Sequence, residues 1–103
     1  PAFAVEQDIK RLGTNLRTAR LRRNLTIADV AEKICTGPLV VSDAEQGKIT
    51  TGIAVYTALL WTYDLLSPME NLADPAMDEE GLALSMRRQR ARAETSGKLD
   101  SDF

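Results

Sequence analysis

The chain has 103 residues, 44% of them hydrophobic, a formal charge of −2 and a mean hydropathy of −0.21. These values fit one ordinary globular domain and exclude a membrane span of about 18 or more apolar residues, since the longest candidate, residues 53–66, is broken by Thr57, Thr62, Tyr63 and Asp64. With no histidine and a single cysteine, Cys35, there is no internal disulfide, no usual zinc-ligand set and no Ser-His or Cys-His nucleophile pair.

No glycine-rich phosphate loop, nucleophile elbow or paired-carboxylate signature appears, so a protein that is not an enzyme, without catalytic residues, metal or cofactor, is expected. The start, Pro1 to Glu6, lacks the basic and long apolar regions of a signal peptide, which sets the expectation of a cytoplasmic protein.

Ile9, Leu12, Leu16 and Ala19 recur at steps of three and four and predict a first helix over roughly residues 7–23. Thr26 is placed to cap a second helix, with Asp29 as a short substitute for the usual capping-box Glu, Leu25 and Val30 as a hydrophobic staple, and Ile27, Val30, Ala31 and Ile34 as the buried stripe. Cys35-Thr36-Gly37 is a turn in which Cys35 is expected to fill a small buried site. Pro38 then opens a third helix as its first residue, Val41 and Ala44 face the core, and Gly47 stops it.

Thr50-Thr51 are expected to cap a fourth helix with a stripe of Ile53, Tyr56, Leu59, Leu60 and Tyr63. Ser67-Pro68-Met69-Glu70 reads as a capping box opening a short fifth helix, which Asp74-Pro75 prevents from continuing. A C-terminal helix from Asp78 to about Ala93 carries acids at its start and Arg87, Arg88, Arg90 and Arg92 toward its end, as the helix macrodipole favours. Its apolar face, Leu82, Ala83 and Met86, is thin enough to need a partner. The expected architecture is all-α: a bundle of about five helices in residues 1–73, a linker and helix in 74–95 and a disordered tail in 96–103.

Charge is unevenly spread. Six cations and no anion lie between Lys10 and Arg23, and acids gather between Asp64 and Glu80. A bipolar surface of this kind can serve nucleic acid at one pole and a protein at the other.

Two short helices around a turn, preceded by a basic helix and followed by Glu-x-Gly, have the layout of a DNA-reading helix-turn-helix. The chain resembles the Cro/C1-type (XRE, lambda-repressor-like) family at Leu16-Arg17-Thr18-Ala19-Arg20, Leu25-Thr26, Asp29-Val30-Ala31 and Val41 to Lys48, a match covering roughly residues 9–63. The turn position held by Cys35 is usually glycine in that family, which points to strain or an altered turn here.

The resemblance implies a repressor of transcription that binds double-stranded DNA, with Pro38, Leu39, Ser42 and Asp43 facing the major groove and Val40 nearby. That helix has no Arg, Lys, Asn or Gln for bidentate base reading, so affinity is expected to rest on phosphate contacts from Arg17, Arg20, Arg22, Arg23, Thr26 and Lys48 and on the amides at the starts of the second and third helices. Glu45 is expected to anchor the end of the third helix.

Leu59 to Leu65, Leu72 to Gly81 and the arginine-rich helix also look like HipB-type antitoxins. This likeness implies a homodimer that regulates its own operon and restrains a HipA-like kinase toxin. Trp61 and Tyr63 are then either core residues or anchors of a dimer seam. A protein-interaction module that keeps the fold but has lost sequence-specific reading is the alternative.

Overall fold

A computed structural model describes residues 2–101, with side chains to residue 95. The described residues are all-helical, with no strand. The chain divides into two compact units, Pro1–Pro68 and Met69–Phe103, a division that falls before the expected boundary at 73/74.

In the first unit α1 spans Phe3–Arg22, α2 Ile27–Lys33, α3 Pro38–Glu45 and α4 Ile53–Thr62. The first helix starts earlier than expected, because Ala4, Val5 and Gln7 tolerate a helix and Glu6 lies in the first turn, where the helix dipole favours an acid. Phe3 and Val5 are exposed there, so this extra turn adds nothing to the core. The α2 capping box closes as expected: the Asp29 N–H donates to Thr26 Oγ1 and the Thr26 N–H to Asp29 Oδ2, both at 3.0 Å. The shorter acid suffices.

The start of α4 differs from the expectation. Its N-cap is Gly52, without a side-chain bond, while the Thr51 N–H is spent in the preceding turn on the carbonyl of Lys48. Ile53, at the first helical position, is 70% exposed and leaves the expected stripe, which reduces to Tyr56, Leu59 and Tyr63 with Leu60 half-buried.

These three join Leu16, Ala19, Val30, Ala31, Val41 and Ala44 in one core, against which Ile9, Leu12, Leu25, Ile27 and Ile34 pack. Small Ala31 and Ala44 sit among the branched residues where α2 and α3 meet, which lets the two short helices approach closely.

All four helices end in the same way. In each, the residue after the C-cap takes a left-handed conformation and the two following amides fold back onto the last turn: Asn24 and Leu25 onto Leu21 and Arg20, Cys35 and Thr36 onto Glu32 and Ala31, Gly47 and Lys48 onto Ala44 and Asp43, Asp64 and Leu65 onto Trp61 and Leu60. These are Schellman closures, which satisfy carbonyls that a helix end leaves orphaned.

Only Gly47 supplies the residue type that favours this conformation. Cys35, at φ +57°, is exposed, contrary to the expected buried site, because the αL turn directs it off the end of α2. The strain read from its place in the sequence is present in its backbone.

Two glycines set the distance between α1 and α3. A Cβ on Gly13 would lie 2.6 Å from the carbonyl oxygens of both Ala44 and Glu45, and one on Gly47 would lie 2.6 Å from the Cα of Lys10. Neither position accepts a side chain without moving a backbone.

The predicted fifth helix is instead a 3-10 segment, Ser67–Asn71, that runs across the division between Pro68 and Met69. No Ser67–Glu70 capping bond forms, and the turn through Leu72 and Ala73 (φ +56°) ends the segment before an α-helical ladder is established. A second 3-10 turn, Pro75–Met77, is capped by Asp74 Oδ1, which accepts from the Ala76 N–H at 2.9 Å.

Asp78 then caps α5, Glu79–Ser101, by accepting from the Gly81 N–H at 2.9 Å. The helix continues past residue 95 to Ser101. No proline interrupts it, and alanine, glutamate and arginine, all good helix formers, recur along it. The last two residues of the expected tail, 102–103, lie outside the described residues.

Candidate nucleic-acid interface

The inner face of α3 is Val41, Ala44 and Glu45, all buried. Its period of 3.6 therefore turns Leu39, Ser42 and Asp43 away from the core, with Pro38 and Val40 flanking them. Pro38 and Leu39 are exposed, Leu39 at 71%, and Val40, Ser42 and Asp43 are half-buried. The five base-reading candidates thus lie together along the outward side of one helix.

A sixth residue belongs with them. Gln46, the C-cap, is exposed, lies one turn beyond Ser42 and donates from Nε2 to Ser42 Oγ at 3.2 Å. It is the one side chain on this edge able to make a bidentate contact with adenine. The i, i+4 spacing from Ser42 is the signal that points to it, since the sequence carries the third helix through Gln46 to its stop at Gly47.

The phosphate-contact candidates separate into three groups. Arg20 is removed from the surface. It is 7% exposed, its Nε and Nη2 donate to the two oxygens of Glu45 at 2.7 and 3.0 Å, and its Nη1 donates to the Leu25 carbonyl at 2.9 Å. Three of the five guanidinium N–H donors are committed to Glu45 and Leu25, and burial keeps the group from reaching a phosphate. The pair ties the end of α1 to the end of α3, so the anchoring expected of Glu45 is present, and Arg20 is what it anchors to.

Arg23 is also committed. Its Nη1 and Nη2 donate to the carbonyls of Ala19 and Tyr63, both at 2.9 Å, and its guanidinium stands 5.5 Å from the centre of the Tyr63 ring. Lys48 forms an ion pair with Asp43 at 3.0 Å, which cancels a cation and an anion at the margin of the candidate edge.

Thr26 is exposed, but its hydroxyl is held by Asp29, whose carboxylate covers the start of α2. That carboxylate opposes an incoming phosphate, so the α2 amides are a poorer anion site than expected. The Thr26 backbone N–H first, and its hydroxyl second, hold the Asp29 acid below its ordinary pKa.

Arg17 and Arg22 are exposed and form no ion pair among the described residues. Lys10 and Lys48 line a shallow groove with Glu6, Gln46 and Gly47 beside the end of α3. At the other end, Pro38 lines an apolar groove with Leu21, Leu25, Ile27 and Ala28. The edge therefore joins a small apolar and hydroxyl surface to the cations Lys10 and Lys48, a combination suited to weak, salt-sensitive binding.

The structure separates Trp61 from Tyr63. Tyr63 is a core residue at 1% exposure, and Trp61 stands 67% exposed on α4. The Tyr63 hydroxyl is buried without a hydrogen-bonding partner, and burial first, then the charge of Glu45, pushes its pKa up. Among the described residues, no helix is long and apolar enough to cross a membrane, and no cluster of acids and cysteine is arranged to hold a metal. No family model, curated protein or solved structure matches the chain.

Proposed function

We propose that residues 1–68 form a helix-turn-helix domain of the Cro/C1, lambda-repressor-like type. In this reading the protein is a DNA-binding repressor, the antitoxin of a HipA-like kinase toxin whose operon it regulates. The observation that carries the reading is the orientation of α3: Val41 and Ala44 are buried against α2 while Pro38 and Leu39 stay on the surface. A short helix held this way by a capped neighbour can enter a major groove about 12 Å wide without disturbing the core.

Affinity then comes mainly from phosphates met by Arg17 and Arg22 on α1 and Lys10 beside Gln46. Ser42, Gln46 and the apolar Leu39 supply modest base preference. The antitoxin part rests on the likeness of residues 59–65 and 72–81 to HipB-type proteins, and predicts that a kinase encoded beside this chain co-elutes with it.

Fluorescence anisotropy with duplex DNA from the region upstream of its own gene tests the reading. Log affinity should fall with log salt at a slope of roughly −0.9 per phosphate contact, and Arg17→Ala should lessen that slope by about one. Absence of binding at about 50 mM salt would refute it. That outcome favours the second reading, a protein-interaction module, which the exposed Leu39 and the Asp43–Lys48 pair support.

A further inference from the structure

Within the second unit, α5 carries Arg87, Arg88, Arg90 and Arg92 in one short stretch, all exposed, and between residues 81 and 95 the only acid is Glu94. None of the four stands in an ion pair among the described residues. The helix dipole does not account for them, because it acts within the last turn and α5 runs on past Arg92 to Ser101. Nor do they support the helix through one another. Arg87 and Arg90 are three residues apart and Arg88 and Arg92 four, spacings at which like charges on a helix repel. The cluster therefore costs α5 stability, and anions brought alongside it relieve that cost. Only Gln89 and Ala91 stand between the arginines, so the stretch has no large apolar side chain to anchor in a protein pocket.

We propose that Arg87, Arg88, Arg90 and Arg92 form a contact for the phosphate backbone of duplex DNA, separate from the α3 edge and indifferent to sequence. Charge density favours this partner. At about 1.5 Å of rise per residue the four cations occupy about 7.5 Å of helix axis, roughly one charge per 2 Å. A DNA duplex presents one phosphate charge per about 1.7 Å of its axis, whereas an extended acidic peptide presents at most one per about 3.3 Å. Arginine also suits the partner, since its planar fork meets two phosphate oxygens with parallel N–H donors.

The acids at the start of α5 limit the contact without cancelling it. Glu80, the nearest of them, lies about 10 Å along the axis from Arg87, a distance at which exposed charges are largely screened at 0.1 M salt. Phosphate contacts carry no sequence information, so this one adds affinity and salt dependence but no preference between sites. It rests on α5 alone and does not depend on the reading of α3.

Fluorescence anisotropy of the whole chain with a labelled duplex of scrambled sequence, from about 50 to 200 mM salt, tests it with two variants. One carries Arg87→Gln, Arg88→Gln, Arg90→Gln and Arg92→Gln, the other lysine at the same four positions; both residues are helix formers comparable to arginine. The glutamine variant should lessen the slope of log affinity against log salt by about two to three and weaken binding by on the order of tenfold or more at about 50 mM salt. The lysine variant should keep the wild-type slope, which a misfolded chain would not. The ratio of affinities for the upstream and scrambled duplexes should be the same in the glutamine variant as in the wild type. Equal binding of both duplexes, with the slope still lessened by glutamine, would remove the α3 reading and leave this contact standing. A glutamine variant with unchanged slope and affinity overturns the proposal, as does a wild type that leaves the scrambled duplex unbound at about 50 mM salt. So does polyglutamate that displaces the duplex as well as unlabelled DNA of equal charge, an outcome that would assign the arginines to an acidic protein.

Discussion

Residues 1–68 bury nine apolar side chains among four helices, whereas none of the described side chains of residues 69–95 is buried. The second unit is shaped instead by carboxylate caps at Asp74 and Asp78 and by charges arranged along α5. Packing is short-ranged and little affected by salt, while exposed charges are screened within about 10 Å at 0.1 M. The first unit can therefore hold a surface of fixed shape, and the second is better suited to a contact that ionic strength adjusts.

The sharpest way to break this contrast is to remove one half of the buried ion pair. Arg20→Ala or Glu45→Ala leaves the other charge unpaired in the core and should cost about 3–5 kcal/mol, read as a fall in the urea midpoint of the whole chain. A loss of DNA affinity in Arg20→Ala would then report unfolding and not a missing phosphate contact. Next in size, Gly13→Ala should cost about 2–3 kcal/mol by the same measurement, because α1 and α3 must separate to admit the methyl group.

A smaller effect of opposite sign is expected at Cys35. Glycine relieves the left-handed strain but adds freedom to the unfolded chain, so Cys35→Gly should stabilise by about 0.5–1 kcal/mol in thermal denaturation. The smallest effect is the pH dependence of the α2 cap. Because the folded Asp29 pKa is depressed, its contribution is fully present above the unfolded value of about 4. It is lost as pH falls from there through the folded value. Asp29→Asn should flatten stability against pH in that acid window, and an unchanged profile would mean the cap adds nothing.

Much of the first unit was legible because its signals are local. The Thr26–Asp29 cap, Pro38 at the start of α3, Gly47 at its end and the apolar stripe of α1 each lie within a few residues of what they determine. The Arg20–Glu45 pair spans 25 positions, and in a run of cations Arg20 looked like one more surface charge. Its burial follows from the α1–α3 contact that Gly13 permits, and a lone glycine inside a helical pattern does not announce that role.

The other misses share a cause. Asn24, Cys35 and Asp64 adopt the backbone conformation that glycine usually marks, so the common closure of the helices was visible only at Gly47. The threonine pair before α4 resembled a cap but serves a turn. Of the candidate interface, the outer edge of α3 was read from its period. The cations around it were not, because the sequence does not say which carbonyl or carboxylate has already claimed a guanidinium.

The central claim, that the outer edge of α3 meets DNA, is tested most directly by backbone amide chemical shifts of the whole chain titrated with a duplex from its upstream region. The account predicts the largest changes at Leu39 to Asp43 and Gln46, with lesser ones at Thr26 and Arg17. Changes confined to Arg87 through Arg92, with α3 unmoved, would contradict it.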